Sequence, residues 1–226
     1  TERTWPNNLT REGICGNEMS KFNGQITPEH CATLPFTRYL LGPGDFTPGS
    51  FGNVFSKDFV PQVKRGHRYG DETDLRPIWA ETVGTRAASL AQCIAFDSPL
   101  MTLCDGPERY RDAAGIEALR ALPTTWKATI PLAGKCGEFY SVVRETHDGR
   151  FYFAALTAKR RELGLKLDFL DEGRKYECII YADAKDADYL KNPKAYTITK
   201  KTVTSKTVLK LRSVAGGGWA VSLRPL

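Results

Sequence analysis

The chain has 226 residues, of which 41% are hydrophobic and 26% charged, the balance of a folded protein rather than a disordered or collagenous one. Its length holds one or two domains but excludes a complete (β/α)8 barrel with a further domain, because the barrel alone takes about 250 residues. The net charge of +6 is a mild excess that singles out no partner by itself. No apolar run approaches the roughly 20 residues that a membrane-spanning helix needs, and Thr1 to Pro6 lacks the basic-then-apolar pattern of a signal peptide.

The first informative segment runs from Asn7 to Glu18. A short strand-like start leads to Glu12, then to Gly13 and Gly16, then to Glu18. The glycines let the backbone turn sharply, so the two carboxylates could converge from the two sides of a loop. A pair of carboxyl groups is what glycosidic-bond cleavage uses, one protonated and one ionised. The pair equally suits calcium, or two solvated surface glutamates.

The next segment, from Leu34 to Gly49, reads as a helix end followed by a strand and a loop that could bring Asp45 to the rim of a sheet. Thr47 stands where the third glycine of a GxGxxG phosphate loop would fall, and this argues against nucleotide binding. From 46 to 74 the chain shows no sustained period, the mark of a functional surface loop. Val83, Ala87, Leu90, Ala91 and Ile94 then form a helical stripe. A shorter helix with Ile116, Leu119 and Leu122 stops before Pro123.

After Pro123 the period changes to two. Strands are expected at about 126–132, 138–146, 150–157, 163–167, 176–181, 195–203, 208–212 and 219–223, with a hairpin turn at His147-Asp148-Gly149. Strands so closely spaced predict an antiparallel sandwich. The basic stretch from Lys200 to Arg212 falls within it, with Leu209 and Leu211 on one face and Lys210 and Arg212 on the other. That is a solvated sheet face rather than a nucleic-acid platform, since no aromatic row interleaves the lysines.

Six cysteines with no CxxC pair read as buried free thiols rather than as a zinc site. His30 next to Cys31 is a poor catalytic pair if the two lie on a strand, where neighbours face opposite ways.

Several of these segments together resemble glycoside hydrolase family 97. The resemblance rests on Arg3-Thr4-Trp5-Pro6-Asn7, Thr10-Arg11-Glu12-Gly13 with Glu18, Pro28-Glu29-His30, the run from Leu34 to Leu40, and Gly42-Pro43-Gly44-Asp45-Phe46-Thr47-Pro48-Gly49. Downstream, Gly84-Thr85-Arg86-Ala87, Ser98-Pro99-Leu100, Leu103-Cys104-Asp105 and Pro123-Thr124-Thr125-Trp126 follow in order. The resemblance implies a calcium-dependent, exported or periplasmic α-glucosidase or α-galactosidase acting on an α-linked oligosaccharide. It implies an α/β part followed by an all-β part: residues 1–123 as the C-terminal portion of a (β/α)8 barrel and 124–226 as an antiparallel β-sandwich. Glu18 would correspond to the general acid, Glu12 to a calcium ligand with Glu18 on or near the ion, and His30 and Asp45 would sit at the same rim. The rest of the barrel would have to come from the remainder of the enzyme, while the alternative is a carbohydrate-binding or oligomerisation module that pairs with a second copy. Neither nucleic acid nor membrane is expected as a partner.

Overall fold

The computed structural model describes residues 4–54, 58–66, 73 and 80–226. Arg3 of the family resemblance and much of the irregular stretch, including His67, lie outside the described residues. Among the described residues the chain is mostly antiparallel β-structure with few helices.

All eight expected strands form: β1 (Ala128–Lys135), β2 (Phe139–Glu145), β3 (Phe151–Thr157), β4 (Arg161–Lys166), β5 (Tyr176–Asp183), β6 (Tyr196–Val203), β7 (Val208–Ser213) and β8 (Gly218–Pro225). Six make one sheet in the order β1-β2-β3-β8-β5-β6, and β4 pairs with β7 in a second. The larger sheet is covered on both faces, as the parity of its central strands shows. Phe151, Phe153 and Ala155 of β3, with Trp219, Val221 and Leu223 of β8, face a core shared with Leu165, Leu209 and Leu211 of the second sheet. Tyr152, Ala154 and Leu156, with Ala220, face the opposite core, against the helix α2 (Arg86–Ala95). A strand buried on both faces loses its polar alternation, which is why Phe-Tyr-Phe-Ala-Ala-Leu reads as a continuous apolar run. The Trp219 indole, wholly buried, donates through Nε1 to the Arg212 carbonyl at 3.0 Å and so ties β8 to the second sheet.

The β2–β3 turn forms where Asp148-Gly149 places it, with Gly149 at φ 77°, in the region that glycine enters without strain. Hydrogen bonds from Arg150 first, and from Thr146 second, hold the Asp148 carboxyl down to about 2. A depressed folded-state value means that stability is present above the ordinary carboxylate range, near pH 4, and is lost as pH falls toward 2. An NMR titration of Asp148 is expected to show a low midpoint that returns to the ordinary range in Arg150→Ala. A midpoint unchanged by that substitution would remove Arg150 as the cause.

Before residue 123 the structure departs from several expectations. The helices α1 (Pro28–Thr33), α2, α3 (Pro107–Tyr110) and α4 (Ile116–Ala121) are short and spaced by irregular chain. No strand forms in 7–18 or 34–49; the latter holds two 3-10 turns, Leu34–Phe36 and Arg38–Leu41, and then a loop. Asp45 therefore sits on a loop rather than at a sheet rim, and His30 and Cys31 lie on α1 rather than on a strand. No named strand forms among the described residues before 123, so they do not show the expected C-terminal portion of a barrel, and the named strands after it pair only antiparallel. A parallel contact survives as the isolated bridge between Asn53 and Thr82. Proline and glycine account for the irregularity: Pro35, Pro43, Pro48, Gly42, Gly44 and Gly49 fall inside one fifteen-residue stretch and break any long element.

The six cysteines are free; Cys31, Cys93 and Cys178 are buried, and Cys136 is exposed. Burial pushes the thiols of Cys31 and Cys93 up to about 12, which leaves them unreactive at neutral pH.

Candidate active-site loop

Glu18 lies on a 3-10 turn, Asn17–Lys21, whose anchor is Asn17. The Asn17 side chain is buried, and its Nδ2 donates to Gln92 Oε1 of α2 at 2.9 Å; Gln92 Nε2 in turn meets Cys31 Sγ at 3.4 Å. A buried amide chain of this kind fixes the turn, because breaking it strands polar atoms away from water. The second support is the loop carrying Asp45, Phe46 and Thr47. Its Phe46 is buried against Phe96 with ring centroids 4.4 Å apart, and its backbone is tied by Asn17 N–H to Phe46 O at 3.2 Å and Asp45 N–H to Arg11 O at 3.0 Å.

These ties bring the two loops close enough for specific contact. The Thr47 hydroxyl donates to Glu18 Oε2, and the Glu18 N–H approaches Thr47 Oγ1 at 3.5 Å. Burial pushes the Glu18 carboxyl above the ordinary carboxylate range; backbone N–H groups of Glu18 and Gly16 oppose the rise, Asp45 adds to it and Lys21 opposes it. The two glycines do different work. Gly13 turns the chain at φ 86°, whereas Gly16 is needed for approach: a Cβ there would lie 1.9 Å from Phe46 O and 2.4 Å from Glu18 Oε2. Gly16→Ala is accordingly expected to displace Glu18 or the 45–47 loop and to destabilise the chain by about 1–3 kcal/mol, the ordinary range for overpacking. Unchanged thermal stability together with unchanged chemical shifts at Thr47 would refute that close approach.

Of the other expected site residues, Asp45 adjoins this pair and His30 supports the loop before it, whereas Glu12 lies in a separate surface groove. His30 Nε2 is 2.8 Å from the Cys15 carbonyl, tying α1 to the loop that leads into Glu18. Glu12 is exposed and shares a surface groove with Arg11, Ile14, Arg38, Leu41 and Pro43. Calcium takes about six to eight oxygens, and among the described residues no group of three or more His, Cys, Asp or Glu comes together as a metal would require. The described residues by themselves therefore assemble no carboxylate-rich calcium site. No period or motif in the sequence marks Thr47, Asn17 or Gln92 as site residues; Thr47 stands out there only as the residue in place of a phosphate-loop glycine.

Over its whole length the chain is similar to glycoside hydrolases. It is 27% identical to the "Retaining alpha-galactosidase" of Bacteroides thetaiotaomicron over 98% of this chain and 31% of that protein. It is 33% identical to a "Probable retaining alpha-galactosidase" of Streptomyces bingchenggensis, over 70% of this chain and 20% of that protein. The solved structure of a glycoside hydrolase family 97 enzyme from Pseudoalteromonas sp. strain K8, in complex with acarbose, matches 100% of this chain and 33% of its own, with a TM-score of 0.84 at 32% identity. Residues 125–224 match the family described as "Glycosyl-hydrolase 97 C-terminal, oligomerisation". The chain belongs to glycoside hydrolase family 97, as a C-terminal part, and spans about a third of the length or less of these relatives.

Proposed function

We propose that the chain is the C-terminal portion of an exported or periplasmic, exo-acting α-glycosidase, in which Glu18 is the general acid. The observation that carries this reading is the Glu18 carboxyl itself, half-buried, held by Thr47 and raised above its ordinary range by burial with Asp45 nearby. A general acid must hold its proton at the working pH and release it to the departing oxygen, and burial next to a second carboxylate favours the protonated form. Residues before 123 would then complete a (β/α)8 barrel whose other strands, base or nucleophile lie in the rest of the enzyme. The exposed Leu40 and Leu41, beside the groove that holds Glu12, support a covering partner there.

In this reading Glu12 lends its oxygens to a calcium ion that lies near Glu18 and is completed by the remainder of the protein, and His30 and Asp45 line the substrate side of the same loops. Calcium, when bound, supplies electrostatic orientation of substrate and water. The chain's own residues do the rest: Glu18 protonates the glycosidic oxygen as the bond to the anomeric carbon breaks, and Asp45 helps to keep that proton in place beforehand. The substrate is an α-linked galactoside or glucoside. The curated relatives are named as α-galactosidases, and the Pseudoalteromonas enzyme has been solved with acarbose and, as a variant, with panose.

A second role is favoured by the family description of residues 125–224, which names oligomerisation. The two roles separate in one experiment on the purified chain. Hydrolysis of aryl α-galactosides and α-glucosides is expected to be undetectable, because an acid without its partner carboxylate and sugar-binding walls cannot assemble a transition-state site. Light scattering is expected to give a dimer or larger species. Robust turnover abolished by Glu18→Gln would overturn the incompleteness, and a strictly monomeric chain would overturn the oligomerisation role.

A further inference from the structure

Thr47 has a backbone that its side chain opposes. Its φ is 52°, and apart from Asp112 it is the only non-glycine among the described residues at positive φ. A β-branched residue there is a genuine steric outlier, and the following Pro48 restricts it further toward extended conformations. Glycine, the residue that adopts this conformation freely, is plentiful nearby at positions 42, 44 and 49, yet threonine stands at this one. Strain of this kind persists only where the surroundings over-determine it, and it gathers at functional positions. The surroundings here are the buried Phe46 on one side and Pro48 and Gly49, also buried, on the other.

The strained backbone points the hydroxyl at a single target. Thr47 Oγ1 donates to Glu18 Oε2 and faces the Glu18 N–H, so one hydroxyl addresses both the backbone and the carboxyl of the same residue. We propose that Thr47 is a positioning residue for the Glu18 acid, holding one carboxyl oxygen so that the other is presented, with its proton, to the departing glycosidic oxygen. The proposal rests on the reading of Glu18 as the acid. Thr47 touches neither substrate nor reacting atoms in this scheme; it selects the rotamer of the group that does. Because a side-chain amide can also accept from Thr47, Glu18→Gln keeps the contact and removes only the proton, and so the two roles can be tested apart.

The test has two arms. In the purified 226-residue chain, Thr47→Gly and Thr47→Ala both delete the hydroxyl, but only glycine relieves the positive φ. Thr47→Gly is therefore expected to melt higher than Thr47→Ala, the reverse of the usual order of these two residues; an equal or lower melting temperature would overturn the strain. In the complete enzyme, Thr47→Val is expected to lower kcat on poor leaving groups by about 10- to 100-fold, as small misplacements of reacting groups do. KM should stay within about threefold and activated aryl glycosides should be spared, while Thr47→Ser should recover most of the rate. Equal losses in Thr47→Val and Thr47→Ser, or a loss uniform across leaving groups, would overturn the positioning role. Full rate in Thr47→Val with loss in Glu18→Gln would overturn it alone, whereas full rate in Glu18→Gln would overturn the acid reading and the positioning role together.

Discussion

Replacing Glu18 by Gln in the complete enzyme is expected to lower turnover of substrates with poor leaving groups by about 10²- to 10⁴-fold, the usual contribution of general acid catalysis. The loss should shrink toward nothing for aryl glycosides whose phenols are strongly acidic, because such a leaving group departs without a proton. Glu12→Gln is expected to behave differently. An exposed residue proposed as a calcium ligand should weaken calcium affinity, measured by calorimetry, and should slow all substrates alike, since a ligand orients the site rather than protonating one atom. The asymmetry follows from position as much as from chemistry. Glu18 is half-buried and hydrogen-bonded to Thr47, whereas Glu12 is exposed in a groove with Arg11 and Arg38. If both variants lost activity equally on every substrate while calcium binding stayed intact, the assignment of acid and ligand would be wrong.

How far the sequence shows these features depends on which physical signal each one carries. The strands after residue 123 were legible because a half-buried strand repeats every two residues, as Leu209 and Leu211 alternate with Lys210 and Arg212 in β7. The helix α2 was legible from its stripe, although its apolar spacing does not reveal that nearly every residue in it is buried. The loops before 123 carry no period, and their geometry depends on contacts between residues far apart in sequence, such as Asn17 with Gln92 and Glu18 with Thr47. Spacing drew attention to Glu12, Gly13, Gly16 and Glu18, but it treated the glycines as equivalent turn formers. The structure separates them into one that turns and one that makes room. Thr47 is the sharper case: a threonine where a phosphate loop needs glycine, it nonetheless takes a backbone conformation suited to glycine.

Arg144 shows what period alone misses, and its removal is expected to have the largest effect on stability. A charged residue in a strand is ordinarily read as solvent-facing, yet Arg144 shares the parity of Val142, on the face of β2 that meets α2. Its side chain is buried, with Nε donating to the Ile94 carbonyl at 2.8 Å, Nη2 to the Ala95 carbonyl at 3.0 Å and Nη1 to Thr129 Oγ1 at 2.6 Å. Asp97 lies 3.7 Å away. Ile94 and Ala95 are the last residues of α2, where carbonyls lack intrahelical partners and the helix dipole favours a cation. One guanidinium therefore caps the helix, joins it to the sheet and reaches β1 through Thr129. Arg144→Leu keeps much of the packing but leaves the two carbonyls unpaired in a dry interface, at about 1–3 kcal/mol for each unsatisfied group. A total loss of roughly 2–4 kcal/mol is expected, lowering the melting temperature by roughly 5–15 °C for a chain of this size. Arg144→Lys should recover little of it, because an ammonium cannot reproduce the planar fork that meets three acceptors at once. Because α2 also carries Gln92, which holds Asn17 next to Glu18, the same substitution should loosen the turn that carries Glu18. Hydrogen exchange at Asn17 and Glu18 is expected to rise with it, and unchanged protection there alongside a lowered melting temperature would confine Arg144 to the sheet–helix interface.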